Sequence, residues 1–284
     1  MPRLSARLGW TLYTIVCLCF FLLLTFPTEM LLQRIVISAT RETLVRIQYD
    51  HGELTWWGGC RLYDVVVENS TGPAVRMTHV TLQPSLLGLT VGRPWPLTFT
   101  AHLYGGTLNG TVSSDADGQR IQFVVHEFAL SLLPLPGAVT VDGVQGSLSG
   151  EGEVEGNVAS LSSLRGQVAF SLTNGALRQG KVSGFPLPPF SFVEGRLRAT
   201  VKNGLLEIPD FMLHADNTEA RLQGTITLNT PLPQSGLNLQ LTAKITENAS
   251  SPLTILLSML PASPSAPGER RASINGSLAS PILR

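Results

Sequence analysis

The sequence has little charge. Charged residues make up 14% of its 284 residues, and 20 basic residues balance 20 acidic ones. Soluble domains usually carry about a quarter of their residues as charged ones, and nucleic-acid binding needs a clustered positive field. The composition therefore argues against nucleic acid as a partner. The mean hydropathy of +0.20 indicates a segment in lipid or a large apolar surface.

The sequence is also poor in cysteine. Cys17 and Cys19 lie in an apolar N-terminal run, and Cys60 is the remaining one. Two residues apart on a helix, Cys17 and Cys19 face different sides. A single cysteine outside that run forms no internal disulfide, and no C-x-x-C is present for zinc or redox chemistry. The fold is expected to form without disulfide bonds.

The N-terminus contains a run without charge from Leu8 to Thr28, preceded by Arg3 and Arg7. About 20 apolar residues cross a bilayer as a helix, whereas a cleaved signal peptide has a shorter apolar core and a small-x-small site after it. This run is long and ends in "TFPTEM" without such a site. The pattern favours an uncleaved transmembrane anchor over a cleaved signal peptide.

The position of the charges predicts the orientation of this anchor. Because both arginines precede the run, the positive-inside rule places residues 1–7 in the cytoplasm, 8–28 in the membrane and 29–284 on the far side. Residues 29–46 read as a helix leaving the membrane, which breaks near Val45 into a strand. The bulky residues assigned to the membrane anchor are Trp10, Tyr13, Ile15, Phe20, Phe21, Leu24 and Phe26.

Beyond the anchor, apolar and polar residues alternate. In "GRLRATVKN", Leu197, Ala199 and Val201 share one side and basic or hydroxyl residues the other. This period of two is typical of strands with one dry and one wet face. We expect turns at Asp115 ("DADG"), Thr173 ("TNG") and Lys202 ("KNG"), and a loop at "FPLPPF", residues 185–190. The chain is therefore predicted to be mainly β, with few short helices.

The glycine-rich stretch "GSLSGEGEVEG", residues 146–156, raises the possibility of a phosphate-binding loop. Such a loop occurs once, before a helix, and usually carries a lysine. Here no lysine and no strong helix follow, and Glu151, Glu153 and Glu155 would repel a phosphate. The unit also recurs, as "GTLNG" at Gly106, "GTITL" at Gly224 and "GSLAS" at Gly276. The recurrence favours strand glycines that mark bends or bulges, with the glutamates on a face turned to water.

Other chemistry-bearing patterns are weak. The five histidines, at positions 51, 79, 102, 126 and 214, lack helical ligand spacing. A lone histidine in a strand usually faces solvent, so we expect no metal site and no cofactor. No nucleophile elbow or P-loop is present, and we expect no enzymatic activity. Trp56 and Trp57 are compatible with a membrane interface and equally with packing in the first hairpin.

A family resemblance rests on four segments. These are the anchor ending "LLLTFPTEMLLQRI", the segment "YDHGELTWWGGCRLYDVVVEN", the segment "VTLQPSLLGLTVGRPWPLTFTAHLYGGTLNGTVSS" and the C-terminal "SINGSLASPILR". In order and spacing they resemble the type II secretion system protein N (GspN) family, itself similar to AsmA/TamB-type envelope proteins. The resemblance covers nearly the whole chain and rests on apolar and glycine positions.

This resemblance implies a non-enzymatic, single-pass protein of the bacterial inner membrane with a periplasmic β-domain. It implies an AsmA-like groove or open barrel, formed by a curled and mostly antiparallel sheet. Two functions follow as alternatives. One is a component of type II secretion that contacts inner-membrane lipid and other secretion subunits. The other is an AsmA-like protein that binds or transports phospholipid in an apolar groove.

Overall fold

The computed structural model describes residues 45–55, 59–69, 74–84, 96–115, 118–133, 139–157, 160–182, 185–215, 218–245, 254–255, 257, 260–262 and 268–283. The predicted cytoplasmic segment 1–7 and the anchor 8–28 lie outside these residues. So does most of the predicted helix 29–46. Its last two residues, Val45 and Arg46, lie in the first strand.

Strands make up most of the described chain. They are β1 (Val45–Gln48), β2 (His51–Leu54), β3 (Cys60–Asn69), β4 (Val75–Pro84), β5 (Leu97–Leu103), β6 (Gly106–Asp115), β7 (Gly118–Ala129), β8 (Val139–Asp142), β9 (Gln145–Gly156), β10 (Arg165–Leu177), β11 (Gln179–Val182), β12 (Phe185–Leu187), β13 (Phe190–Lys202), β14 (Leu205–Ala215), β15 (Thr218–Thr227), β16 (Gly236–Ile245), β17 (Glu269–Ser277) and β18 (Ser280–Leu283). The helical pieces are short: Leu130–Leu132, Leu161–Ser163 and Leu232–Gln234 are single 3-10 turns. The prediction of a mainly β chain with few short helices is confirmed for the described residues.

Among the described residues, fifteen strands form one antiparallel sheet in the order β1-β3-β4-β5-β6-β7-β9-β10-β13-β14-β15-β16-β17-β18, with β2 also paired to β3. Strands that follow one another in the chain are mostly neighbours in the sheet, as in a meander. The sheet is open: β1 and β2 lie at one edge, β18 lies at the other, and it does not close into a barrel.

A second, three-stranded sheet has the order β12-β11-β8. It prolongs the middle of the large sheet, since β8 leads into β9, β10 leads into β11 and β12 leads into β13. The loop predicted at residues 185–190 is therefore wrong for Phe185–Leu187, which pair with β11. Proline is tolerated at this place because β12 is an edge strand.

Two of the tight turns follow a common hairpin geometry. Tyr104 and Gly105 join β5 to β6 with φ of 52° and 76°, and Asn203 and Gly204 join β13 to β14 with φ of 54° and 77°. Positive φ at both central residues is typical of two-residue hairpins, in which glycine is favoured. The turn predicted at Lys202 is confirmed.

The turn predicted at Thr173 is wrong. Strand β10 continues through this point and pairs with β9 on one side and β13 on the other. Asn174 has a φ of 50°, and the register toward β9 shifts between Thr173 and Ala176. A residue with positive φ occurs in some bulges as well as in two-residue hairpin turns, so the Asn-Gly pair alone does not distinguish them.

Many of the buried apolar side chains in the described part of the chain belong to one of two clusters. The first lies on β3 to β7 and contains Leu62, Val65, Val80, Ala101, Leu103, Val125 and Phe128. The second lies on β13 to β16 and contains Ala199, Ile208, Ile226, Leu237 and Leu239. Strands β9 and β10 lie between them: Leu148 and Phe170 pack against the first cluster, and Val168 packs against the second.

Candidate functional site

One face of the large sheet is apolar from one side to the other. Directly opposed residues on neighbouring antiparallel strands share a face, so the pairing register can be followed across the sheet. One such line, which we call the apolar row, contains Gly52, Leu62, Val80, Ala101, Leu108, Val125, Gly150, Phe170, Leu197, Phe211, Leu222, Leu241 and Ala272. Every position is apolar or glycine. We call the face that carries this row the apolar face.

Exposure varies along the apolar face. Within the two buried clusters, residues such as Val65 and Ala199 are 3% exposed. In the middle, Phe123, Leu148 and Phe170 are only half-buried. The middle strands therefore leave apolar surface open, and an exposed patch of this kind commonly marks a binding surface.

Aromatic rings on this middle section lie over glycines. The line next to the apolar row contains Phe99, Gly110, Phe123, Gly152 and Val168. A Cβ added to Gly110 would lie 2.6 Å from Cζ of Phe99, and one added to Gly152 would lie 2.5 Å from Cζ of Phe123. The rings occupy the space that a larger side chain would fill. The recurrent strand glycines thus allow the aromatic rings to lie close to the backbone of the sheet here.

The opposite face, which we call the polar face, carries hydroxyl, amide and charged side chains. A shallow trough of about 930 Å³ crosses six strands, from β5 to β13. The polar residues that line it include Thr100 and Glu151, and the residues of the apolar face that line it include Phe99, Phe123 and Val168. The trough therefore combines residues of both faces in the middle of the sheet.

The stretch that first suggested a phosphate loop lies in β9 and contributes to both faces. Gly150 and Gly152 lie on the apolar face, whereas Glu151, Glu153 and Glu155 lie on the polar face. This confirms the strand interpretation. Arg120 on β7 lies 3.2 Å from Glu155 and 3.6 Å from Glu153. Glu153 and Glu155 therefore form solvated ion pairs with Arg120 that connect β9 to β7.

A row of histidines on the polar face was not foreseen from the sequence. The register aligns His51, Tyr63, His79, His102, Thr107 and His126 across β2 to β7. The rings of His79 and His102 stack with centroids 3.9 Å apart, and His51 stacks on Tyr63 at 4.3 Å. These histidines are 23 to 28 residues apart in the sequence, so only the strand pairing brings them together.

Two groups near the start of the sheet have shifted pKa values. Burial, the neighbouring His102 and the charge of Arg61 lower the pKa of His79. Burial raises the pKa of the Cys60 thiol, which lies on the apolar face. A raised thiol pKa makes Cys60 a poor nucleophile near neutral pH.

The residues predicted to form the membrane anchor, from Trp10 to Phe26, lie outside the described residues, and so do Trp56 and Trp57. Within the described part of the chain no helix has the length and apolar character needed to cross a membrane. The described side chains also contain no group of three or more histidine, cysteine, aspartate or glutamate residues placed to hold a metal ion.

Comparison with known proteins found no match: no protein-family model, no curated protein and no solved structure is significantly similar to this chain.

Proposed function

We propose that this chain is a non-enzymatic component of the bacterial envelope associated with type II protein secretion. In this proposal residues 8–28 hold it in the inner membrane and the sheet lies in the periplasm. The order and spacing of the segments that resemble the GspN family support this assignment. A long antiparallel sheet joined by short turns is the architecture that such a resemblance leads one to expect.

The proposed mode of action rests on the apolar row and on the half-buried residues in the middle of the apolar face. A sheet face that is apolar from β2 to β17 needs an apolar partner, whether lipid, another protein or the chain itself. Thr254 and Leu257, both buried, are helical residues from the segment between β16 and β17, and Thr254 lies beside Thr218 at one end of β15. The middle of the face, around Phe123 and Phe170, remains half-exposed.

The edges of the sheet are less suited to binding than its face. The strands β1 and β2 are four residues each, and β18 is a four-residue strand that contains Pro281. Short edge strands and proline are features that discourage a further strand from pairing. We therefore place contact with other secretion subunits on the apolar face rather than on the sheet edges.

The second candidate function is AsmA-like binding or transport of phospholipid. The specific observation in its favour is the neighbouring line through Phe99, Phe123 and Val168, in which large apolar side chains alternate with glycine. An acyl chain gains about 0.8 kcal/mol for each methylene group that it buries, so a strip of this kind can hold a lipid without polar contacts. A curled sheet with the apolar face inside would form the groove that this function requires.

The two candidates can be separated by photo-crosslinking in cells. A photoreactive phenylalanine analogue replaces Phe123 in the full chain. As the matched control it replaces Val124, which is adjacent in sequence and lies on the polar face. We expect position 123 to crosslink strongly and position 124 weakly. Crosslinks to another secretion subunit support the first function, and crosslinks to phospholipid support the second. Equal, weak labelling at both positions would contradict both.

Deletion of the gene tests the cellular role itself. The proposal predicts that proteins exported by type II secretion accumulate in the periplasm of the deletion strain. A chain with Phe123→Glu should restore secretion poorly, whereas Val124→Glu should restore it well. Normal secretion in the deletion strain would overturn the assignment to this pathway.

A further inference from the structure

The histidine row contains one pair that differs from the rest. His79 on β4 and His102 on β5 are direct register partners, and their rings stack with centroids 3.9 Å apart and planes inclined by 24°. The other histidines do not pair in this way: His51 stacks on Tyr63, and His126 lies two strands beyond His102. The chain thus presents two imidazoles side by side on its polar face.

A local irregularity of β4 lies directly beside this pair. The register between β4 and β5 shifts between Met77 and His79, so Thr78 is an extra residue in the ladder. The hydroxyl of Thr78 lies 3.4 Å from the backbone carbonyl oxygen of His102, to which it donates. The pair itself keeps the register of the ladder that continues to Pro84 and Leu97, and the shift affects the pairing of Met77 with Leu103. Bulges re-aim side chains and are frequent next to functional sites.

The geometry of the pair suits a metal ion. Neutral imidazole is the commonest nitrogen ligand for zinc and copper, with metal–nitrogen distances of about 2.0–2.1 Å. An ion bound to one nitrogen of each ring therefore bridges nitrogens up to about 4 Å apart. In the stack the in-plane lone pairs of the two rings lie side by side. Directly opposed residues of antiparallel strands have Cβ atoms about 4.5–5.5 Å apart, so both rings can reach one ion by turning out of the stack.

We propose that His79 and His102 form a two-histidine binding site for a divalent transition-metal ion, zinc or copper, with water completing the coordination. This inference does not depend on the proposed function. Because each ring belongs to a different strand, a bound ion cross-links β4 to β5. Binding to the folded chain alone raises its stability by mass action.

The surroundings of His79 favour its neutral form. Facing groups are Tyr63 and Arg61 on β3, Glu53 on β2 and Asp50 just before it, whereas β6 offers the uncharged Thr107. Burial, His102 and Arg61 lower the pKa of His79. A ligand that is already neutral loses no proton when the metal binds.

Isothermal titration of the full chain, without a histidine tag, tests the site with zinc or copper salt as the probe. We expect one ion per chain at neutral pH. His79→Gln and His102→Gln should each weaken binding by about tenfold or more, which is at least the effect seen when supporting residues of metal sites are lost. Binding should also weaken at about pH 5.5, where imidazoles take up protons.

The matched controls are His126→Gln, in the same row, and His214→Gln, on β14, and both should bind the ion as the wild type does. Circular dichroism shows whether each variant is folded. In addition, the ion should raise Tm of the wild type and leave that of His79→Gln unchanged. The proposal is overturned if the wild type shows no saturable binding, or if the folded variants His79→Gln and His102→Gln retain full affinity.

Discussion

The apolar and polar faces are built from alternate residues of the same strands, yet they are organised differently. The apolar face is chemically uniform: the apolar row passes through Leu62, Phe170 and Leu241 without a polar side chain. The polar face is divided into local groups, with histidines on β2 to β7 and ion pairs such as Arg120 with Glu155 further along. Hydrophobic burial is non-directional and needs only continuity, whereas polar contacts are specific pairs.

This comparison predicts that substitutions on the apolar face cost far more stability than those beside them on the polar face. The largest effect is expected for Leu239→Ala, because Leu239 is 8% exposed within the second cluster. Removing it should lower the free energy of unfolding by about 2–5 kcal/mol.

The adjacent Gln240→Ala is the control. Gln240 is exposed and accepts one hydrogen bond of 3.2 Å from Gln223, so we expect a change within about 0.5 kcal/mol. Urea denaturation of the two variants measures the difference. Similar losses for both residues would show that the two faces are not energetically distinct.

Substitution of a glycine that lies under an aromatic ring is expected to cause the next largest loss of stability. Gly152→Ala places a Cβ 2.5 Å from Cζ of Phe123 and 2.8 Å from Cγ1 of Val168, so the ring must move. We expect a loss of about 1–3 kcal/mol, as for other overpacked sites. Phe123→Leu in the same chain should recover part of it, because the shorter side chain leaves room.

Gly236→Ala is the matched control for this prediction. Its added Cβ would meet nothing nearer than Cβ of Thr227 at 3.9 Å, and its φ is not positive. The substitution should be neutral or stabilise by up to about 1 kcal/mol, because it reduces the freedom of the unfolded chain. If Gly152→Ala also leaves the free energy of unfolding unchanged, the prediction that the Phe123 ring excludes a side chain at Gly152 is wrong.

Ion pairs on the polar face should contribute little. Arg120 is about half-exposed beside Glu153 and Glu155, and exposed pairs contribute about 0.2–1 kcal/mol. Arg120→Gln should therefore lower the free energy of unfolding by no more than this, and the loss should shrink in high salt. Thermal unfolding at two salt concentrations checks the prediction, and a larger, salt-insensitive loss would be inconsistent with it.

The smallest expected effect is the dependence of folding stability on pH. Because the pKa of His79 is lowered in the folded chain, the unfolded chain binds a proton more readily. Stability is therefore expected to fall as pH drops through the ordinary histidine value of about 6.5. His79→Gln should weaken this dependence. Denaturation midpoints at about pH 7.5 and 5.5, with a chelator present, test the sign, and an unchanged dependence in the variant would contradict it.

Much of the fold follows from the alternating pattern. The period of two in "GRLRATVKN" predicts β13 and its two faces, and the recurrent unit at Gly106, Gly146 and Gly224 lies in strands throughout. These features are local, so a single sequence contains them. The mistaken turn at Thr173 shows the limit, because Asn174 produces a bulge only when strands pair on both sides.

The candidate sites could be predicted less well. The pairing of His79 with His102 depends on the register of β4 with β5, which is not a property of the local sequence. The sequence did predict strands with one apolar face, since apolar and polar residues alternate along them. Its continuity across the sheet depends on each register being correct, and a one-residue slip would have placed polar side chains in the apolar row.

Cysteine labelling along β7 in living cells tests the central claim, that an apolar partner covers the middle of the apolar face. Residues 121–125 are replaced one at a time by cysteine and exposed to a water-soluble maleimide. We predict slow labelling at Ile121, Phe123 and Val125 and fast labelling at Gln122 and Val124. At position 123, the purified and delipidated protein should be labelled faster than the protein in cells. Equal labelling of the two sets in cells would show that water, and not a partner, covers this face.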